Sequence, residues 1–256
     1  MENSVRHRHT PWRSDITEVG ADSLRTHGID QRDIIKTFSY EEMVFFLLKG
    51  RRPTPAEADL LRAVIVSHIS HGITGQSSLA VMEAADCRSG FLHAAIAGFS
   101  VGAGVFHQGG LAATMDELVR YAAMSEQALT EDLEARLRRR ERIMGFGHRF
   151  HKRDPRAATL MEIAGRHGFS GPHIRTVQRM EGFLRDRKGI AMNIEAAGGS
   201  ILLDLGIEPT IAHLVILVGR SPMYAALYLE RLGQGRKPFQ RIEVFDVIEE
   251  EHVPDA

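Results

Sequence analysis

The stretch Gly145-Phe146-Gly147-His148-Arg149-Phe150-His151-Lys152-Arg153-Asp154-Pro155-Arg156 combines two histidines with four lysine or arginine side chains. Glycines on both sides of His148 let the backbone come close to a ligand. Asp154-Pro155 is typical of a helix start, with Asp as N-cap and Pro at the first helical position. The pattern predicts a turn that presents His148 and leads into a helix carrying Arg156, a suitable site for an anionic, oxygen-rich small molecule. The alternative is a solvated basic loop, which is the commoner fate of clustered charges.

The composition narrows the class of protein. The chain has 256 residues and a formal net charge of −1, so no overall field attracts it to nucleic acid or membrane. Its single cysteine, Cys87, excludes an internal disulfide and fits a reducing compartment. The N-terminus lacks an apolar signal segment, and the apolar stretch 211–218 is interrupted and too short to span a bilayer. We expect a soluble, cytoplasmic protein.

Helix signals dominate the chain and predict an all-α fold. Ser39 with Glu42, and Thr54 with Glu57, form capping boxes, and Gly50 is a helix stop. Asn-Gly and Asp-Gly pairs are absent from the sequence, so tight hairpins have little support. The small-residue run 94–104 suits a helix packed closely against another. Further helices are expected at 125–142, 156–166, 174–187, 198–205 and 209–232.

We predict one catalytic unit at 16–247, made of a large helical domain and a smaller helical subdomain at roughly 145–210. Residues 1–15 are expected to be a disordered basic tail, and residues 248–256 an acidic tail.

Four other clusters could carry chemistry. His68 and His71 are three residues apart, which places them on one side of a helix end. His107-Gln108 precedes a diglycine, and Glu195 opens an Ala/Gly-rich helix. Arginines occur in the turns at Gly219-Arg220 and Arg236-Lys237-Pro238. No set has the spacing of a structural zinc site, so no metal is expected.

Each of these clusters also has an ordinary structural interpretation. A helical histidine such as His71 is often a satisfied structural residue, and an acid at a helix start is usually a cap or dipole partner. Arginines in turns are usually solvated, although the planar guanidinium is also the preferred fork for carboxylates. Taken together, histidines, one acid and several arginines on separate turns suit a polycarboxylate and a proton transfer beside a carbonyl.

These motifs resemble the citrate synthase superfamily in a short form. Residues 145–156 are similar to its oxaloacetate–histidine motif, 24–50 to its N-terminal signature, His68-x-x-His71 to its paired histidines and Gly219-Arg220 to its arginine turn. Only about twenty residues separate the N-terminal signature from the paired histidines. The chain therefore more closely resembles citryl-CoA lyases and the C-terminal lyase module of ATP-citrate lyase, which cleave citryl-CoA to acetyl-CoA and oxaloacetate.

The resemblance implies roles for individual residues. His71 and His148 would hold the hydroxyl or carbonyl oxygen of the substrate, and Arg156 and Arg220 its carboxylates. Arg236 would reach the neighbouring subunit's site, which implies a homodimer or a dimer of dimers. Arg149, Arg153 and Lys188 would contact the CoA phosphates. Coenzyme A enters as a thioester substrate, and no tightly bound cofactor is expected.

The sequence departs from the family pattern at two positions. Gln108 stands where the synthases have a catalytic histidine, so either Gln108 donates a neutral hydrogen bond or His107 turns into the site. Glu195 stands where the family has a catalytic aspartate, and its carboxylate lies one methylene further out. Two alternatives to a lyase therefore stay open: a citrate or 2-methylcitrate synthase, and a non-catalytic subunit that binds CoA or carboxylates.

Overall fold

The structure is a computed structural model that describes residues 14–148 and 152–235. In this part of the chain it contains eleven α-helices, one short 3-10 helix and a small antiparallel sheet. The helices are α1 (Gln31–Thr37), α2 (Tyr40–Lys49), α3 (Pro55–Ser67), α4 (Gln76–Asp86), α5 (Phe91–Gly102), α6 (Gly110–Ala122), α7 (Glu126–Arg138), α8 (Pro155–Arg166), α9 (Pro172–Lys188), α10 (Ile194–Asp204) and α11 (Ala212–Gly233). The all-α prediction is confirmed.

The predicted capping boxes both form. Ser39 caps α2 and Thr54 caps α3, each with reciprocal hydrogen bonds to the glutamate three residues later. Gly50 ends α2 in the left-handed conformation, at φ 66°. These local signals work because each satisfies backbone groups that a helix end leaves without partners.

The N-terminal sheet was not predicted. It joins β1 (Thr17–Val19), β2 (Leu24–Thr26) and β3 (Ile29–Asp30) in that order. His27 and Gly28 form the β2–β3 turn with φ values of 44° and 79°. A hairpin turn of this kind needs positive φ, and here histidine supplies it where asparagine is more usual.

Several helix boundaries also differ from the prediction. Helices α1, α4 and α6 were not foreseen, and α7 ends at Arg138 rather than at residue 142. Helix α10 begins at Ile194 rather than Gly198, because Asn193 caps its first turn. The Asn193 cap is a local signal, so the start of α10 could have been read from the sequence.

The core is built around α10, which packs against α3, α6, α8 and α9. Ala196, Ala197 and Ile201 on this helix are completely buried. A second, smaller cluster joins α4, α5 and the C-terminal half of α11 through Val81, Ala94, Tyr224 and Leu227. The division of 16–247 into two subdomains stays a prediction, and most of both proposed tails lies outside the described residues.

Close packing of α4 against α5 confirms the expectation for the small-residue helix. A Cβ atom at Gly98 would lie 2.6 Å from Val81 and 2.9 Å from the ring of Tyr224. Any larger residue would therefore push α5 away from its neighbours.

Helix α11 links the two clusters. Its first half, with Val215 and Ile216, belongs to the main core, whereas Tyr224 and Leu227 belong to the smaller one. Among the described residues, the helical stretch Pro209–Gly233 has the length and hydropathy of a membrane span. A core helix passes the same test, and here α11 packs against α3, α4, α5 and α6.

Candidate functional site

A cavity of about 780 Å³ lies where the ends of α3, α8 and α10 meet the loops before α4 and α6 and one face of α11. Seven of the residues singled out from the sequence line it: His71, His107, Gln108, His148, Arg156, Glu195 and Arg220. The structure therefore brings together groups that are up to 149 positions apart in sequence, as from His71 to Arg220. Their roles in binding or catalysis stay predictions.

The turn that carries His148 is held against the chain before α10. Phe146 forms a bridge with Met192, and the Gly147 amide donates to the Ala191 carbonyl at 2.9 Å. The side-chain amide of Asn193 donates to the Gly147 carbonyl at 3.0 Å. Segment 191–193 thus holds the backbone just before His148, which lines the cavity.

Both glycines of this turn are required by the backbone. Gly145 and Gly147 have φ values of 79° and 80°. A Cβ atom at Gly145 would also lie 2.6 Å from Thr114 and 2.8 Å from the Cβ atom of Ala196. The sequence correctly indicated a tight turn at this point, because only glycine adopts this conformation without strain.

Asp154 organises two helix starts and one arginine. Its carboxylate accepts from the backbone amide of Arg156 in α8 at 3.0 Å and from that of Ile194 in α10 at 3.1 Å. It also forms a two-pronged ion pair with Arg156, whose Nε and Nη2 donate at 3.0 and 2.8 Å. Burial acts to raise the pKa of Asp154, but the hydrogen bonds and charge of Arg156 outweigh it and hold the pKa below its usual value.

This arrangement leaves Arg156 ready for a second anion. Its side chain keeps 31% of its surface exposed at the cavity, although one edge of the guanidinium is occupied by Asp154. The guanidinium has five N–H donors in a planar fork, so a substrate carboxylate could still bind to the remaining ones.

Arg220 is a buried cation that also lines the cavity. It is only 5% exposed, and its Nη1 donates to the Ile69 carbonyl at 3.3 Å. Within the described residues, Arg220 forms no ion pair with a carboxylate, and its Nε has no hydrogen-bond partner. Burial lowers the pKa of the guanidinium to about 10. A buried charge of this kind is costly unless an anion joins it.

The sequence indicates His68 only as one of the paired histidines, and the resemblance assigns the functional role to His71. The structure shows His68 at the end of α3, 4% exposed and lining the cavity. Its Nδ1 bonds to the Val64 carbonyl at 2.8 Å, which places the ring proton on Nδ1. Burial lowers the pKa of His68 to about 4, so the ring is neutral at pH 7.

The other nitrogen of His68 is therefore an acceptor. Nε2 is buried and has no hydrogen-bond partner among the described residues. An orphaned acceptor at the wall of a polar cavity suits a ligand hydroxyl. The signal that could have identified His68 was its position on the apolar face of α3, which predicted its burial but not what it would face.

His71 and His107 lie side by side at the cavity wall. Their rings are stacked with centroids 5.5 Å apart and an interplanar angle of 12°. The hydroxyl of Ser77 lies 2.8 Å from Nε2 of His107 and 3.4 Å from Nε2 of His71. Ser77, at the start of α4, connects the two histidines and was not foreseen from the sequence.

Glu195 lies on the first turn of α10, where the Asn193 side chain accepts from its amide. Burial raises the pKa of its carboxyl to about 7, and the positive charges of Arg142 and Arg156 oppose this only in part. A group with a pKa close to 7 can both give and take a proton at neutral pH.

The diglycine at the start of α6 accommodates the longer acid. A Cβ atom at Gly110 would lie 2.5 Å from Oε1 of Glu195. Glutamate therefore places its carboxylate directly over the start of α6, in space that any side chain at Gly110 would fill. The extra methylene of Glu195 is accommodated because Gly110 has no side chain.

The residues expected to contact CoA, and Arg236, which is expected to reach the neighbouring subunit's site, have different outcomes. Arg153 and Lys188 are exposed and do not line the cavity, whereas Arg149 and Arg236 lie outside the described residues. Arg142, which no motif in the sequence indicates, is exposed and lines the cavity. In the described ranges, no group of three or more histidine, cysteine or acidic side chains could hold a metal ion.

The amino-acid sequence of the chain matches a known protein family. Residues 48–242 match the sequence model described as citrate synthase, C-terminal domain. Citrate synthase 2 of Bacillus subtilis is 26% identical over 226 residues, which cover 85% of this chain and 59% of that protein. Citrate synthase of Thermoplasma acidophilum is 24% identical over 234 residues, with the same coverage. The chain thus spans about three fifths of the length of these curated relatives.

Solved structures show the same fold. The citryl-CoA lyase from Hydrogenobacter thermophilus has a TM-score of 0.83 and 26% identity, and the match covers 96% of each chain. The citrate synthase of Thermoplasma acidophilum, in complex with carboxymethyl coenzyme A and oxaloacetate, has a TM-score of 0.70 at 22% identity and covers 85% of this chain and 60% of that one. Because the family match extends over well more than half of its residues, this chain belongs to the citrate synthase family.

Proposed function

We propose that this protein cleaves citryl-CoA, or a closely related thioester, to acetyl-CoA and oxaloacetate. The observation that carries the proposal is one cavity joining Arg156 and Arg220 to a buried carboxyl, Glu195, with a pKa of about 7. Two cations suit the carboxylates of a citryl group, and the acid suits proton transfer at carbon. The full-length match to a citryl-CoA lyase supports the lyase direction.

The reaction starts from the bound hydroxyl group. Arg156 and Arg220 hold substrate carboxylates, each contact contributing about 1.5–3 kcal/mol as a charge-assisted hydrogen bond. The neutral Nε2 of His68 accepts from the substrate hydroxyl and orients it. One of His71 and His148 then takes the hydroxyl proton.

Cleavage follows from loss of that proton. The oxygen forms the new carbonyl of oxaloacetate, and the electron pair of the breaking carbon–carbon bond passes into the thioester to form the acetyl-CoA enolate. Protonated Glu195 gives its proton to the enolate carbon. One proton leaves the substrate oxygen and one arrives at carbon, so the overall reaction is balanced.

Coenzyme A enters as part of the substrate in this scheme. Arg142, at the cavity wall and exposed, is the described cation best placed for a CoA phosphate.

We also propose a homodimer, in which Arg236 would complete the partner's site. The exposed apolar face of α5, with Phe91, Leu92 and Ile96 between 42% and 68% exposed, is consistent with a partner surface.

The second candidate is condensation, as in a citrate or 2-methylcitrate synthase. The curated relatives named citrate synthases favour it. The same groups would work in reverse, with Glu195 removing a proton from the acetyl methyl group. A non-catalytic binding subunit is less well supported, because a carboxyl with a pKa near 7 is poised for proton transfer.

The test compares both directions in one set of variants. Acetyl-CoA formation from citryl-CoA and thiol release from acetyl-CoA plus oxaloacetate are measured for the unmodified protein, Arg220→Ala and His148→Ala. Each variant should lose at least one to two orders of magnitude in kcat/KM, as expected for a lost charge-assisted contact. Arg62→Ala, an exposed arginine of α3 paired with Asp59, is the matched control.

Full activity in both site variants would refute the assignment. Faster thiol release than citryl-CoA cleavage would favour the synthase. Ligand binding by calorimetry without turnover of any acyl-CoA would favour the binding subunit.

A further inference from the structure

The chain reverses direction directly after α7, and the residue that follows the reversal lines the cavity. Arg140 adopts the left-handed conformation at φ 57°, where glycine or asparagine is more usual. Its amide donates to the Leu137 carbonyl at 3.2 Å, and the Glu141 amide donates to the Arg136 carbonyl at 3.0 Å. The side chain of the next residue, Arg142, lines the cavity. A charged, largely solvated stretch of sequence thus delivers one cation to the site.

Arg136, on the last turn of α7, holds this reversal. Its side chain is 12% exposed, and its Nη2 donates to the Arg142 carbonyl at 2.7 Å and to Oε1 of Glu117 at 2.8 Å. Its Nη1 donates to the Tyr121 hydroxyl at 3.0 Å. Nη2 has two hydrogens, so one bonds to an acid of α6 and the other to the backbone of a residue that lines the cavity.

The backbone after Arg142 is fixed as well. Ile143 and Phe146 belong to the main core, with 6% and 7% of their surface exposed. Segment 191–193 holds Gly145 and Gly147 through backbone hydrogen bonds of 2.9 Å. The side chain of Arg142 is therefore exposed, whereas its backbone lies between two anchored points.

The charge of Arg142 acts on the acid of the site. Burial raises the pKa of the Glu195 carboxyl to about 7, and the positive charge of Arg142 opposes this more strongly than that of Arg156. The negative charge of Asp154 acts in the same direction as burial. His68, which faces the same cavity from α3, is neutral at pH 7. The position of Arg142 therefore affects the proton affinity of Glu195.

We propose that Arg136 is a positioning residue for the thioester: by holding the Arg142 carbonyl, it fixes the Arg142 guanidinium at the cavity wall, where that group serves both the anionic CoA moiety and Glu195. The inference rests on the proposed function. A cation whose backbone is already fixed loses less conformational freedom when it binds an anion, so the contact is stronger. Arg136 itself touches neither the substrate nor the reacting atoms.

The first test measures binding of free coenzyme A by calorimetry and cleavage of citryl-CoA at pH 6, where Glu195 is protonated. Arg142→Met should weaken coenzyme A binding by about tenfold or more, as for loss of one charge-assisted contact. Arg136→Met should weaken it by about three- to tenfold and raise KM for citryl-CoA equally, with kcat changed by less than about twofold. In the Arg142→Met background, Arg136→Met should have no further effect, because it acts through Arg142.

Arg120→Met is the matched control. Its guanidinium donates to Asp132 at 3.2 Å and lies over the ring of Tyr121, so it belongs to the same group of side chains. Its contacts are with α6 and α7 rather than with segment 139–142, so its coenzyme A affinity and KM should equal those of the unmodified protein. The double variant Arg136→Met, Glu117→Gln leaves no unpaired acid and replaces Arg136→Met if the single variant fails to fold.

The second test measures the pKa of Glu195 by carbon-13 spectra of glutamate-labelled protein and needs no turnover. Removing a nearby positive charge makes a carboxylate harder to form, so the pKa should rise above about 7 in Arg142→Met. We expect a rise of about half a pH unit in that variant, a smaller rise in Arg136→Met and none in Arg120→Met.

Three results would overturn the inference. One is an additive loss of coenzyme A binding when both arginines are replaced, and another is an equal effect of Arg136→Met and Arg120→Met. The third is a Glu195 pKa that does not change in Arg136→Met although it rises in Arg142→Met. If the unmodified protein neither binds coenzyme A nor cleaves citryl-CoA, the proposed function fails, and the carbon spectra still decide whether Arg136 positions Arg142.

Discussion

At the scale of single residues, Glu195 shows how burial changes the chemistry of an ordinary side chain. The sequence identified it as the acid of the site, but an acid at a helix start is usually a cap with a normal or lowered pKa. Burial at the cavity wall raises its pKa to about 7 instead. The sequence gives the carboxyl group, and the surrounding fold gives its proton affinity.

This pKa leads to a prediction about stability. A carboxyl with a folded pKa of about 7, above its usual 4.5, binds its proton more tightly in the folded than in the unfolded state. The free energy of unfolding should therefore fall as pH rises from about 4.5 to about 7. Glu195→Gln removes this dependence, so the variant should gain up to about 3 kcal/mol over the unmodified protein at pH 8.

Urea unfolding followed by circular dichroism at pH 5 and pH 8 checks this. Glu162→Gln, an exposed glutamate on α8, is the control and should leave the pH dependence unchanged. An identical pH dependence in Glu195→Gln and the unmodified protein would show that Glu195 is not the titrating group.

At the scale of elements, Asp154 joins two helices that are distant in sequence. The Asp-Pro pair predicted the start of α8, and that prediction is confirmed. The same carboxylate also caps α10 through Ile194, forty positions away. Local patterns cannot reveal this second bond, because it depends on how α8 and α10 are packed.

Asp154→Ala should therefore cost more than an ordinary cap. Loss of an N-cap side chain typically costs about 0.5–2 kcal/mol. Here two helix starts and the ion pair with Arg156 are lost together, so we expect at least about 3 kcal/mol in urea unfolding. Ser125→Ala, which removes a cap from α7 alone, is the control and should cost about 1 kcal/mol. Equal costs for the two variants would contradict the double cap.

At the scale of the whole molecule, the cavity is maintained at the expense of stability. Arg220 keeps a buried positive charge without an acidic partner in the described residues. An uncompensated buried charge is destabilising, and stability is commonly sacrificed at functional sites.

Arg220→Met should separate stability from binding. The apolar side chain has a similar length, so the variant should unfold at a temperature several degrees higher than the unmodified protein when no ligand is present. Citrate or oxaloacetate should raise the melting temperature of the unmodified protein but not that of Arg220→Met. Calorimetric melting with and without ligand measures both effects. A variant that is less stable, yet still stabilised by ligand, would show that Arg220 serves packing rather than binding.

The sequence by itself determined the helical class, the capped helix starts, the His148 turn and seven of the residues that line the cavity. Those features depend on local chemistry: a cap, a proline at a helix start, or a glycine with positive φ. Only the tertiary structure decided that His68 faces the cavity as an acceptor, that the Gln108 amide donates to Tyr224 and Ser77, and that Glu195 has a pKa near 7. These properties depend on burial and on partners from distant helices, and such neighbours are set by packing rather than by the order of residues along the chain.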